Sequence, residues 1–276
     1  RMEKLLRYLN DNDADKWQKN REKLDDETKA YYAEDLSLMD VLNDLWNGQS
    51  EQAATLYFGC YEKAAQNNFP GICEGEKIPL SQIRDKADQS IINLLEASKD
   101  KIPFSRALLD SIHATEYPVD SAMLQRLQNI REVALLEGML KAPTPIIYQT
   151  YVKEYPNGKF IAQVNASENV RLYQLVKTTP TPANFKAFFE DPEMQKYYQD
   201  RGPRPYLAEV RTLYDDFLFQ RIDSLKKEGN ATAIRQIIDD YKNTPYLATG
   251  ARTHLNDLEY LSEKADFELL KPAIVN

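Results

Sequence analysis

The sequence predicts an all-α chain of helical hairpins stacked as an irregular α-solenoid, and three observations carry that expectation. Glycine is scarce, 9 in 276 residues, beside abundant Leu, Ala, Lys, Glu and Gln, a balance that favours helix over sheet. No long run of alternating β-branched residues marks a strand. Aromatic-proline turns recur at intervals of about 40 residues, the length of a helical hairpin, and such periods signal solenoids.

The clearest turn lies in the stretch from Tyr151 to Leu175, YVKEYPNGKFIAQVNASENVRLYQL. Pro156 has no backbone N–H and disfavours helix at Tyr155, and Asn157-Gly158 tolerates positive φ, so one helix stops near Tyr155. A second can start at Lys159, with Phe160, Ile161, Val164, Val170, Leu172 and Leu175 as its apolar face. Shifted by 86 residues, Tyr155 meets Tyr241, Asn157 meets Asn243, Ala162 meets Ala248 and Leu172 meets Leu258. Shifted by 40, Pro205-Tyr206-Leu207-Ala208 repeats as Pro245-Tyr246-Leu247-Ala248. Glu116-Tyr117-Pro118 echoes Glu154-Tyr155-Pro156, and Glu190-Asp191-Pro192 does so more loosely. Second helices are therefore expected to start near 119, 160, 206 and 246.

A helix ending in Tyr-Pro, followed by Asn-Gly-Lys and then by an aromatic and an Ala, resembles tetratricopeptide-type repeats. The form it resembles most is that of bacterial envelope lipoproteins that help assemble outer-membrane proteins. Tyr155, Pro156, Asn157, Gly158, Lys159, Phe160 and Ala162 carry the match, which extends over the last 170 or so residues. The Trp-x-x-Leu-Gly signature of ordinary repeats is missing, small residues at the helix seams are sparse, and the unit exceeds the usual 34 residues. The resemblance implies a tetratricopeptide-like (TPR-like) solenoid, a protein or peptide partner, and an exported or periplasmic location.

In chain order, Met2 to Asn10 reads as a short amphipathic helix, and Asp11-Asn12-Asp13 as a stop followed by an N-cap. Helical pattern runs from Trp17 through Leu24, Tyr31, Leu36 and Met39 to Trp46, and Asn47-Gly48 ends it. A helix restarts at Ser50 and reaches Asn68. The Gly- and Pro-bearing loop from Phe69 to Pro79 suggests a boundary between an N-terminal helical region, 1–76, and a hairpin region, 77–276, unless the two form one array. Ser81 is placed to cap a helix running to about Lys99, and Lys101-Ile102-Pro103 to break it. Phe104–Thr115 and Val119–Leu140 make the next hairpin. Lys141 to Pro145 and Thr178 to Pro182 are short rigid connectors. Ala183–Glu190 is helical, Tyr197 to Pro205 is an irregular insertion, 206–228 is a long helix, and Ala231–Tyr241 with Tyr246–Lys264 forms the last hairpin. The chain opens on Arg1 rather than Met, and Asp266 to Leu270 reads as the start of another unit, as expected of a piece of a longer protein from which a leader has been removed.

The net charge of −8 argues against a general nucleic-acid surface, which needs clustered Lys and Arg. No apolar run approaches the length of a membrane span. An exported protein can join Cys60 to Cys73 as a disulfide, or the two are unrelated thiols. Asp11, Asp13, Asp15 and Glu22 have calcium-loop spacing, but Lys16 stands where the turn glycine belongs, so they read as an acidic helix cap. His113 and His254 lie far apart in sequence and form no zinc motif, and no phosphate loop or nucleophile elbow occurs. The pairs Asp25-Asp26, Asp215-Asp216 and Asp239-Asp240 lack a third acid at the fifth position and read as helix-surface charge. No cofactor or metal is expected.

Tyrosine is abundant, 17 residues, and suits interfaces because a rigid apolar body carries a polar tip. Those at repeat positions read as helix seams. Tyr197, Tyr198, Arg201, Arg204 and Tyr206 lie in or beside the insertion that interrupts the repeat, and such insertions line binding faces, so these five are the candidate partner-binding residues. The expected function is a non-catalytic scaffold binding a protein or peptide. Alternatives are a glycan- or small-ligand-binding module that stacks ligands on Tyr and Trp, and a helical hydrolase with dispersed carboxylates, which a pocket of converging acids would favour.

Overall fold

The computed structural model describes residues 1–66, 78–228 and 230–242, and near the C-terminus 259–260, 262–264 and 266–267. Within them the chain is helical, with no strand. The helices are α1 (Met2–Asn10), α2 (Ala14–Arg21), α3 (Asp26–Tyr31), α4 (Ala33–Trp46), α5 (Glu51–Gln66), α6 (Leu80–Ala97), α7 (Lys101–Ala114) and α8 (Ser121–Lys141). They continue with α9 (Pro145–Glu154), α10 (Ile161–Thr178), α11 (Pro182–Phe189), α12 (Pro192–Tyr198), α13 (Leu207–Lys227) and α14 (Ala231–Lys242). Cys73, most of the 69–79 loop, the turn at 243–246 and His254 fall outside the described residues, and with them the Cys60–Cys73 pairing and the turn and most of the second helix of the last expected hairpin. Cys60 itself is half-buried on α5, and burial pushes its thiol up.

The chain divides into two compact units within α8, Arg1–Glu137 and Gly138–Asn276. The apolar cluster of the first runs from Met2 to Leu127, through residues on both sides of the 76/77 boundary expected from the sequence.

In the first unit, local polar chemistry sets the helix ends. Asn12 takes φ +54°, in the left-handed region, which allows Asp13 to turn back and accept the Lys16 amide at 3.1 Å. Where one helical pattern was expected from Trp17 to Trp46, three helices form, because Asp25 accepts the Thr28 amide at 2.8 Å and starts α3 afresh. Gly48, at φ +64°, closes α4, and Ser50 caps α5 through the Ala53 amide at 3.1 Å. Two expected boundaries move. Ser81 lies inside the first turn of α6 and caps nothing, and Lys101-Ile102-Pro103 begins α7 instead of breaking a helix, since a proline in a first turn forfeits no intrahelical bond. The core collects Leu5, Leu9, Trp17, Leu36, Met39, Tyr57 and Phe58, all with almost no exposed surface.

Among the described residues of this unit, Trp46 Nε1 is the one buried side-chain nitrogen or oxygen without a hydrogen-bond partner. Arg131, 2% exposed, donates from Nη1 to the Ile102 carbonyl at 2.9 Å and to Ser105 Oγ at 3.2 Å. Tyr117 projects inward from the α7–α8 connection onto Tyr57, Phe58 and Tyr61 of α5, with ring centroids 4.9–5.5 Å away and steep interplanar angles. Its hydroxyl lies 3.2 Å from that of Tyr57 and donates to Asp88.

In the second unit, α10 is the hub, packing against α9, α11, α12 and α13. The turn at Tyr155 to Gly158 separates α9 from α10 as expected, although α10 starts at Ile161, two residues beyond Lys159. The Tyr151 hydroxyl accepts the Phe160 amide at 3.0 Å and holds the hairpin closed. The connectors expected before α9 and α11 are helix starts in their own right. Thr144 and Thr181 accept amides from Ile147 and Asn184, and Pro145 and Pro182 occupy the first helical position. Asp191 with Pro192 does the same for α12. A separate apolar cluster of Leu218, Ile222, Leu225, Ile234 and Ile238 joins α13 to α14.

Candidate functional site

The five sequence-predicted residues all belong to the second unit, around the link between α12 and α13. Tyr197 and Tyr198 form the last turn of α12, so the irregular segment is shorter than expected and spans 199–206. Their rings meet edge to face at 5.0 Å. Arg201 is exposed, donates to the Tyr197 carbonyl at 2.8 Å, and holds its guanidinium 4.4 Å from the centre of the Tyr197 ring. Gly202 then turns the chain at φ +91°, a conformation closed to most side chains.

Arg204 differs from the surface residue expected at that position. Its side chain runs inward, with Nε donating to Asn169 Oδ1 at 2.6 Å, Nη1 donating to the Phe188 carbonyl, and the guanidinium 3.9 Å from the centre of the Phe188 ring. Burial brings its pKa down to about 10, against the pull of the nearby Asp191 carboxylate. The group therefore stays charged at neutral pH. Asn169, buried on α10, returns the contact by donating Nδ2 to the Pro205 carbonyl at 3.1 Å. One side chain thus holds two consecutive residues of the link. Tyr206, 36% exposed, takes φ +65°, uncommon for a residue with a side chain of this size. Its ring stacks on Tyr173 at 4.3 Å and 11°, and the Tyr173 hydroxyl donates to Glu209 at 2.7 Å. The C-terminal end of the link, Arg204 to Tyr206, is held against α10.

This arrangement borders a cleft of about 320 Å³, lined by Phe189, Met194 and Tyr198, by Gly202, Pro203 and Arg204 of the link, and by Leu207 and Arg211 of α13. The structure thus brings Tyr198 and Arg204 to the cleft and leaves Arg201 exposed. Sequence reasoning missed Asn169, Tyr173 and Arg211. For Asn169 a signal existed, because Asn165, Glu168 and Asn169 fall on the same helical stripe as Val164, Leu172 and Val176, and all six are buried. Val170, expected on that face, is exposed. Arg211 gave no signal, since an arginine in a helix reads as surface charge.

The first unit holds a second concavity of about 310 Å³, where Asp85, Asp88 and Asp120 converge with Arg84 and Arg126. Burial pushes Asp88 up to about 6, and the Tyr117 hydroxyl bond only partly offsets this. Arg84 pairs with Asp85 at 3.2 Å and Arg126 with Glu96 at 2.8 Å. Among the described residues no group of three His, Cys, Asp or Glu side chains is placed to hold a metal ion. No helix among them is long and apolar enough to cross a membrane. No protein-family model matches the chain, and comparison with curated proteins and with solved structures finds no similar one.

Proposed function

We propose that this chain is a non-catalytic, TPR-like solenoid protein of the bacterial envelope that binds a protein or peptide partner through the α12–α13 link. The observation that carries the reading is the pairing of rigidity with display. Asn169, Arg204 and the Tyr173–Tyr206 stack fix the link from within, while Arg201 and the edge of Tyr206 face outward beside a partly apolar cleft. Aromatic and arginine side chains that are already ordered lose little entropy on binding, which is why such residues dominate interface energetics. The location rests on the resemblance of the Tyr-Pro-Asn-Gly hairpin alone. Cross-linked capture from native envelope, read by mass spectrometry, tests the reading. A stoichiometric protein lost with Arg201→Glu supports it. A blank capture together with ligand-induced stabilisation by an oligosaccharide replaces it with the glycan-binding alternative.

The groove of Asp85, Asp88 and Asp120 favours a second reading, a hydrolase whose proton donor is Asp88, a carboxyl held partly protonated near neutral pH. Turnover of a chromogenic glycoside or ester that vanishes in Asp88→Asn while the fold persists would replace the binding reading. No turnover in the parent chain removes the hydrolase.

A further inference from the structure

Among the described residues only three buried side-chain nitrogens lack a hydrogen-bond acceptor: Trp46 Nε1, Arg204 Nη2 and Arg211 Nε. The last two line the same cleft. A guanidinium has donors and no accepting atom, so each unmet N–H awaits an acceptor from outside. The nearby carboxylates are already engaged. Glu168 accepts two bonds from Arg171, at 2.6 and 2.7 Å, and Asp191 caps α12 through the Met194 amide at 2.8 Å. Beside the two arginines, Phe189, Met194 and Leu207 form an apolar part of the wall, and Gln195, Tyr198 and Gln199 also line the cleft. We propose that the cleft is an oxyanion-binding site, in which Arg204 and Arg211 seat a carboxylate or phosphoryl group while Phe189, Met194 and Leu207 cover its apolar neighbours.

The low pKa of Arg204 agrees, because an anion beside that group would relieve the cost of its burial. Both unmet nitrogens are shielded from bulk water, so binding turns the terminal torsions of Arg211, which is only partly buried. The assignment of the oxyanion to a side chain of the protein partner rests on the function proposed above, whereas the site does not.

The test is an NMR titration of the whole labelled chain at constant ionic strength with sodium propionate, inorganic phosphate and neutral propionamide. The Arg211 Nε–Hε signal and the Gly202 amide shift saturably with an oxyanion and stay unmoved by propionamide. A response to propionate assigns a carboxylate, and a response to phosphate alone assigns a phosphoryl group. Arg211→Gln, followed through the Gly202 amide, weakens binding about tenfold or more, as loss of a charge-assisted bond requires. Because Arg204 also holds the link, the variant is made at Arg211, and an unchanged melting midpoint shows that it remains folded. Shifts that do not saturate, that match those caused by chloride, or that propionamide reproduces overturn the site, and they do so in the parent chain whatever the variant does. Saturation by propionate with no captured protein keeps the site and removes the partner. A partner captured equally by the parent chain and Arg211→Gln keeps the partner and removes the site from its recognition.

Discussion

Two inward-turned arginines, one in each unit, show how differently the same side chain can be used. Arg131 is 2% exposed, bonds the Ile102 carbonyl and Ser105, and no buried nitrogen of its guanidinium is left without an acceptor. Arg204 bonds Asn169 and the Phe188 carbonyl, and its buried Nη2 amino group is left without an acceptor. Arg131 is a joint of the fold, with its donors satisfied from within the chain. Arg204 is a joint too, since it fixes the α12–α13 link, but its geometry is incomplete without a further acceptor. Incompleteness of this kind, more than exposure or charge count, separates a candidate binding group from a structural one.

The largest effect is expected at Arg131. Replacing it with Met leaves the Ile102 carbonyl and Ser105 without their buried donor, and about 3 kcal/mol of stability is lost in urea unfolding. Asn169→Ala follows, at about 2 kcal/mol, because two bonds to the link disappear together. Its signature in hydrogen exchange is faster exchange confined to residues 199–206 and their neighbours, which a general loss of stability would not give. Arg204→Met is expected to cost about 1 kcal/mol, less than the same change at Arg131, because an apolar side chain relieves the desolvation of a charge that is only partly satisfied. Equal losses at the two positions would break the distinction between the arginines.

The smallest effect is expected at Asp88, and it depends on pH. Its folded pKa of about 6 lies above its ordinary value of 3.8, so the folded state holds the proton more tightly. The associated stability is fully present below pH 3.8 and is lost as pH rises through about 6. Asp88→Asn removes that slope. Because the side chain is partly exposed, the variant gains no more than about 1 kcal/mol relative to the parent between pH 4 and pH 7.5, read from unfolding midpoints at the two pH values. An unchanged slope would mean that Asp88 is solvated in solution, and would remove the observation favouring a hydrolase.

Asp88 and Arg204 extend the comparison to the two units. Burial drives each group toward its neutral form, the acid up and the base down. The acid arrives near physiological pH and titrates there. The arginine starts so high that even a large fall leaves it a cation, so Arg204 keeps its charge across the range in which Asp88 loses its proton.

The sequence by itself determined the helical class, the hairpin turn at Tyr155 to Gly158, the stops at Asn12 and Gly48, and the helix starts near 121, 161 and 207. These depend on φ preferences, missing amide donors and short capping side chains, which act within a few residues of chain. Only the tertiary structure decided that the link turns Arg204 inward, that Asn169 meets it from 35 residues away, and that Arg211 joins the same cleft. Those outcomes depend on which helix packs against which, and on whether a particular donor finds an acceptor there. Such pairing is a property of distance in space, which the local spacing of residues does not encode.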